Sequence, residues 1–122
     1  MFQSKWESSD RLLCIHFTGS VDASEMSACF QQVKEQLEKS EPGFRLLTDL
    51  TGLESMDALC APILGAFMDF LAGKQIAMVV RVIPDPHKDI GFNLMSQFHY
   101  GRRVRTVTCE NLAVALELLT AA

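Results

Sequence analysis

Two short apolar runs, Phe44–Leu50 and Ile76–Ile83, bracket the stretch ALCAPILGAFMDFLA, in which Asp69 is the one charge between Ala58 and Ala72. Runs of this length bounded by turn residues read as buried strands, and the stretch between them is long enough to be a helix. A strand, a helix and a second strand in succession pair the strands in parallel through a right-handed crossover. The intervening helix is unusual in its own right. A surface helix has a polar face, and this one has almost none, so it is either covered on both sides or presents an apolar face to a partner. Pro62 fits only the first turn, which starts the helix between Asp57 and Ala61, and Gly73 is its natural stop.

The same logic extends to both ends. Phe2–Glu7 reads as a short strand. Arg11–Thr18 reads as a second, with Leu13, Ile15 and Phe17 alternating with Leu12, Cys14 and His16, and Ser8-Ser9-Asp10 turns between them. Asp22 and Glu25 are spaced as a capping box for a helix carrying Met26, Cys29, Phe30, Val33 and Leu37 on one face. Glu41-Pro42-Gly43 ends that helix. After the rigid Pro84-Asp85-Pro86-His87 segment, Ile90, Leu94 and Phe98 mark a third helix that stops near Tyr100-Gly101. Val104–Thr108 is a last short strand, and Thr108 or Cys109 caps a final helix with Leu112, Ala115, Leu116 and Leu119 on one face. The order β-β-α-β-α-β-α-β-α predicts one α/β domain over residues 1–122. Its architecture is a single mixed, mostly parallel sheet with an N-terminal hairpin and about four helices.

Composition narrows the function classes. The chain has 122 residues, 48% of them hydrophobic, and a formal charge of −4. That is the composition of a folded domain and not of a disordered one. A net acidic chain is a poor general binder of nucleic acid. The charge is uneven, because Lys74, Arg81, Lys88, Arg102, Arg103 and Arg105 face only Asp85 and Asp89 between residues 74 and 105. Cys14, Cys29, Cys60 and Cys109 form no paired spacing and read as reduced, packed thiols. With His16, His87 and His99 they form no zinc-ligand pattern, so neither metal nor cofactor is expected. The opening MFQSKWESSD has charges where a signal peptide needs its apolar core, and no apolar run approaches the ~20 residues of a membrane span. A soluble, cytoplasmic domain is the expectation.

The residues Leu46-Leu47-Thr48-Asp49-Leu50-Thr51-Gly52-Leu53, followed by Met56-Asp57, resemble the STAS domain. There a strand ends in Asp, a Ser/Thr-Gly step follows, and another Asp opens the next helix. Gly19-Ser20-Val21-Asp22 before the first helix is similar as well. That family includes SpoIIAA-like proteins, bacterial anti-sigma-factor antagonists and the cytoplasmic tails of sulfate transporters. The resemblance implies the fold and a regulatory role through protein contacts. In the antagonists, a Ser or Thr just after the second Asp is phosphorylated and governs docking to a kinase-like anti-sigma factor. This chain has Ala58 and Leu59 at those positions, and Cys60 where a glycine often follows, so that switch has no acceptor here. Ser55 and Thr51 are the nearest hydroxyls.

Candidate chemistry is sparse. Cys60 near a helix N-terminus could form a thiolate, but Asp57 opposes it, no histidine is close in sequence, and packing is the better reading. Arg81, His87, Lys88, His99 and Arg102 could gather into an anion site at the end of a parallel strand, although no phosphate-binding glycine loop accompanies them. Asp49 and Asp57 read as local acceptors, for the turn at Gly52 and for the start of the second helix. The expected function is therefore a non-enzymatic regulatory or interaction module. Its partner-binding residues are Ser55, Met56, Asp57, Leu59, Cys60, Ile63 and Phe67, and its partner is another protein or a second copy in a homodimer. The alternative is a carrier or sensor of an amphipathic or anionic ligand, a lipid-like carboxylate or a nucleotide, held by Arg81, His87, Lys88, His99 or Arg102.

Overall fold

A computed structural model describes residues 1–85 and 89–121. Its strands are β1 (Phe2–Glu7), β2 (Leu12–Phe17), β3 (Gly19–Val21), β4 (Arg45–Asp49), β5 (Leu53–Met56), β6 (Met78–Val82) and β7 (Arg105–Cys109). Its helices are α1 (Ala23–Gln36), α2 (Cys60–Gly73), α3 (Asp89–His99) and α4 (Leu112–Ala121). Five strands form one sheet in the order β1-β2-β4-β6-β7, with β1 antiparallel to β2 and every other pair parallel. The predicted hairpin, parallel sheet and four helices are all present. What the periodicity did not reveal is a separate parallel pair, β3 with β5, in which Ser20 stands opposite Ser55.

The sheet divides the core by side-chain parity. Leu13, Ile15, Phe17, Leu46 and Val79 face α1 and α2, where Met26, Cys29, Val33, Phe67 and Leu71 meet them. Leu47, Val80 and Val82 point the other way, against Ala115 and Leu119 of α4. All five residues of β6 are buried, because α4 covers one of its faces and the other helices cover the opposite one. That is why the Ile76–Ile83 run shows no alternation.

The helix ends differ from expectation in three places. Asp22 caps α1 as predicted, accepting the Glu25 N–H at 2.8 Å. That helix ends at Gln36, however, well before Pro42, as Ser40 Oγ and N–H both bond the Leu37 carbonyl. Helix α2 does end at Gly73, yet the left-handed residue that closes it is Gln75, at φ 62°. Neither Thr108 nor Cys109 caps α4; Asn111 does, accepting the Val114 N–H at 3.0 Å.

Candidate functional site

The small β3–β5 pair builds the start of α2. Ser55 Oγ donates to Ser20 Oγ at 2.9 Å, and the Asp57 N–H donates to the Val21 carbonyl at 2.9 Å. Asp57 then turns the chain: its Oδ1 accepts the Leu59 N–H and its carbonyl accepts the Cys60 N–H, each at 2.9 Å. The carboxylate therefore acts in the turn before the helix, with Leu59 as the N-cap residue that precedes α2. This bracing leaves Leu59 70% exposed on a fixed backbone. Glu54, Ser55, Asp57 and Ala58 are exposed around it, and Met56 is half-buried.

Two residues expected on this surface are core instead. Phe67 is buried and stacks on Phe30, with centroids 4.9 Å apart and planes 13° from parallel. Cys60 is also buried, its Sγ 3.6 Å from the Val21 carbonyl. Burial pushes that thiol up from its ordinary pKa, and the charges of Asp57 and Asp22 push it the same way. A protonated, enclosed thiol is not a nucleophile. Ile63 is half-buried. The outer face of α2 carries Ala61, Pro62, Ala66, Asp69 and Gly73, so its apolar character there comes from small side chains. The large ones turn inward.

At the ends of β2 and β4, Asp49 is the centre of a second cluster. Its Oδ1 accepts from the Thr51 N–H at 3.0 Å and from Thr51 Oγ1 at 2.6 Å, and its Oδ2 lies 3.1 Å from His16 Nδ1. Burial alone would raise this carboxyl; the Thr51 hydrogen bonds and the nearby His16 outweigh it and hold the pKa below the usual range. Asp49 thus shapes the turn, as expected, through Thr51. The contact with His16 joins strands that no local pattern connects.

Of the expected anion-binding residues, the three described ones, Arg81, His99 and Arg102, are held at separate places. Arg81 is 3% exposed, donates to Ser96 Oγ at 2.7 Å and lies 6.0 Å from the Phe92 ring. His99 is bound to α2 instead, with Nδ1 2.7 Å from Asp69 Oδ1. Gly65 makes that approach possible, since a Cβ there would lie 2.8 Å from His99 Nε2. Arg102 is exposed in the connection before β7, at the opposite end of the sheet from Arg81. His87 and Lys88 lie outside the described residues. The physical reason is topological: β6 and β7 are parallel, so a residue near the end of one is far from a residue preceding the other.

Between the sheet and helices α2 and α3 lies a partly open pocket of about 40 Å³, lined by Leu46, Thr48, Phe67, Arg81, Phe92 and Tyr100 among others. Burial drives the Tyr100 hydroxyl pKa upward, so the phenol is neutral. Among the described residues no group of three or more His, Cys, Asp or Glu could hold a metal, and no helix is long and apolar enough to cross a membrane.

No protein-family model matches the chain, and no curated protein matches it by sequence. Solved structures do. A DUF3478-family protein with a SpoIIAA-like fold from Shewanella loihica PV-4 superposes with a TM-score of 0.72 at 16% identity, over 98% of this chain and 92% of that one. The anti-sigma factor antagonist SpoIIAA, in its unphosphorylated form, gives 0.67 at 13% identity over the full length of both chains. An anti-sigma factor antagonist from Mycobacterium paratuberculosis gives 0.61 at 19% identity, over 98% and 95%. The chain has the SpoIIAA-like fold of STAS domains.

Proposed function

We propose that residues 1–122 form one non-enzymatic regulatory domain that binds another protein through the β5–α2 turn. The observation that carries this reading is Leu59: a large apolar side chain 70% exposed on a backbone pinned by Asp57 and by the β3–β5 pair. An exposed apolar residue on a rigid support is suited to anchoring a contact at little ordering cost. Glu54, Asp57 and Asp22 surround it with negative charge, which favours a partner whose rim is basic. Two of the solved structures with this fold are anti-sigma factor antagonists, which supports a regulatory protein contact as the mode of action.

The contact surface is Ser55, Met56, Asp57, Ala58 and Leu59, with Ile63 at its edge. With Ala58 and Leu59 after Asp57, docking is constitutive or set at Ser55, whose exposed hydroxyl bonds Ser20. Thr51 is the poorer acceptor, as its hydroxyl is held by Asp49. A carrier role has less support. A lipid chain needs a pocket of roughly 300 Å³ or more, and about 40 Å³ accommodates two or three waters. The domain acts in the cytoplasm and without catalysis, in keeping with an enclosed Cys60 thiol.

The test is Leu59→Asp. It is expected to fold as the parent does and to lose whatever protein the parent captures from its own cells, or its self-association if the partner is a second copy. A folded Leu59→Asp chain that keeps the same partner at the same affinity removes this surface from the function.

A further inference from the structure

Arginines gather at the end of the molecule opposite the β5–α2 turn. The parallel strands begin there, and two adjoining grooves that share Gly43 and Ala77 open onto it. Five arginines line them, namely Arg11, Arg45 and Arg105 in one and Arg102 and Arg103 in the other, against one acid, Asp10. The helices α2, α3 and α4 all finish at this end, and cations commonly complement helix C-termini. That accounts for part of the cluster. Arg45 donates to the Leu119 carbonyl at the end of α4 and to the Asp10 carbonyl, and Arg11 donates to the Pro42 carbonyl. It does not account for Arg102, Arg103 and Arg105, which are exposed and make no side-chain hydrogen bond or ion pair among the described residues.

Four residues before Arg102, in the last turn of α3, Phe98 has 80% of its surface in water. The spacing of Ile90, Leu94 and Phe98 predicts a buried stripe, and Phe98 departs from it. An exposed aromatic ring four and five residues before two exposed arginines suits a partner that is anionic at its surface and apolar just beneath.

We propose that this end docks on an anionic lipid surface, with Phe98 entering the interface and Arg102 and Arg103 meeting the headgroups. A membrane touches only one end of the domain. The acidic end lies a strand length away, about 17–20 Å, beyond the ~8 Å over which charge acts in physiological salt. A nucleic acid is a long polyanion that would run past this small patch onto the acidic flanks, which makes it the poorer fit. Docked in this way, the domain would hold its protein-binding turn facing away from the bilayer.

The experiment is co-sedimentation of the whole chain with vesicles of phosphatidylcholine alone and with a third of phosphatidylglycerol, in low and high salt. Pelleting is expected with the anionic vesicles only, and less of it in high salt. Arg102→Glu with Arg103→Glu should lower the partition at least about thirtyfold. Phe98→Ala should lower it several-fold and leave the salt dependence unchanged. All three positions are exposed, so unchanged thermal melting separates lost docking from lost folding. No pelleting, equal pelleting on both vesicles, or a double variant that pellets like the parent overturns the proposal. So does tighter binding to a single-stranded oligonucleotide that displaces the vesicles, which would assign the patch to nucleic acid. Vesicle-free self-association abolished by the same double variant would assign it to a second copy and overturn it equally.

Discussion

Leu59 caps the start of α2 and Phe67 lies within it, and burial gives them opposite roles. Aspartate at Phe67 would lose the stack on Phe30 and leave an unpaired carboxylate in the core, at a cost of about 4 kcal/mol or more. Aspartate at Leu59 lies in water and should change stability by no more than about 0.5 kcal/mol. Thermal melts of the two variants separate them: Phe67→Asp without a folded baseline, Leu59→Asp melting like the parent. Cys60 carries a second residue-scale prediction. Because burial and neighbouring carboxylates hold its thiol protonated, alkylation at pH 8 should be at least about tenfold slower in the folded chain than in urea. The half-buried Cys14 should react ahead of it. Asp49 sets a pH dependence. Its folded pKa lies below its unfolded one, so the stability it contributes is complete above the ordinary carboxylate range and fades as pH falls through the lowered value. The difference in urea midpoint between the parent and Asp49→Asn should therefore be larger at pH 6 than at pH 3, and a gap that does not narrow in acid would contradict the assignment.

Helix α2 closes in a Schellman motif: the Ile76 N–H bonds the Leu71 carbonyl at 3.2 Å and the Gln75 N–H bonds the Ala72 carbonyl at 2.9 Å. The motif puts Gln75 at φ 62°, where a side chain costs roughly 1 kcal/mol and glycine costs little. Gln75→Gly should raise the melting temperature by about 3 °C, after allowing for the extra freedom of glycine in the unfolded chain. A drop would mean that the Gln75 side chain contributes more than its backbone costs. The same motif shows what the sequence could reveal. The helix end at Gly73 is legible because glycine and the loss of helical spacing coincide there. The closing residue is not, since nothing marks a glutamine as left-handed. The main strands and helices are legible because each buries a face at its own period. β3 and β5 escape because three and four residues are too few to establish one. Within the site, Asp57 and Leu59 can be found from the strand–turn–helix pattern. The contacts His16–Asp49 and Asp69–His99 cannot, as they join residues 33 and 30 positions apart. Burial of Phe67 could not be read either, because a helix apolar all round does not reveal its phase. Once Ala61, Pro62 and Ala66 are known to face out, the phase is fixed.

Taken whole, the molecule separates two kinds of surface by its topology. Parallel strands with returning helices put the helix starts at one end and the helix finishes at the other, with Asp22, Glu54 and Asp57 near the first and Arg102 and Arg103 in the α3–β7 connection. Between them lies the sheet with its small cavity, which favours the proposed contact module over a carrier. A carrier would hold a ligand in the interior, where one pocket offers about 40 Å³ beside the buried Arg81 and a neutral Tyr100 and its neighbour, sharing Leu50 and Phe92, about 90 Å³. Tyr100, Phe92 and Phe67 line the first from α2 and α3, and opening it to the size of a fatty acid would separate those helices, breaking the Asp69–His99 contact as well. Native mass spectrometry of protein taken directly from cells should therefore give the bare chain mass of 13.6 kDa, or twice it, with no discrete addition. An added mass of a few hundred daltons that disappears when Phe92 is enlarged to Trp, and not when Leu59 is changed to Asp, would place a ligand in the cavity and reverse the assignment. A bare mass in both variants, with protein capture lost only in Leu59→Asp, is the result that a surface acting through the β5–α2 turn requires.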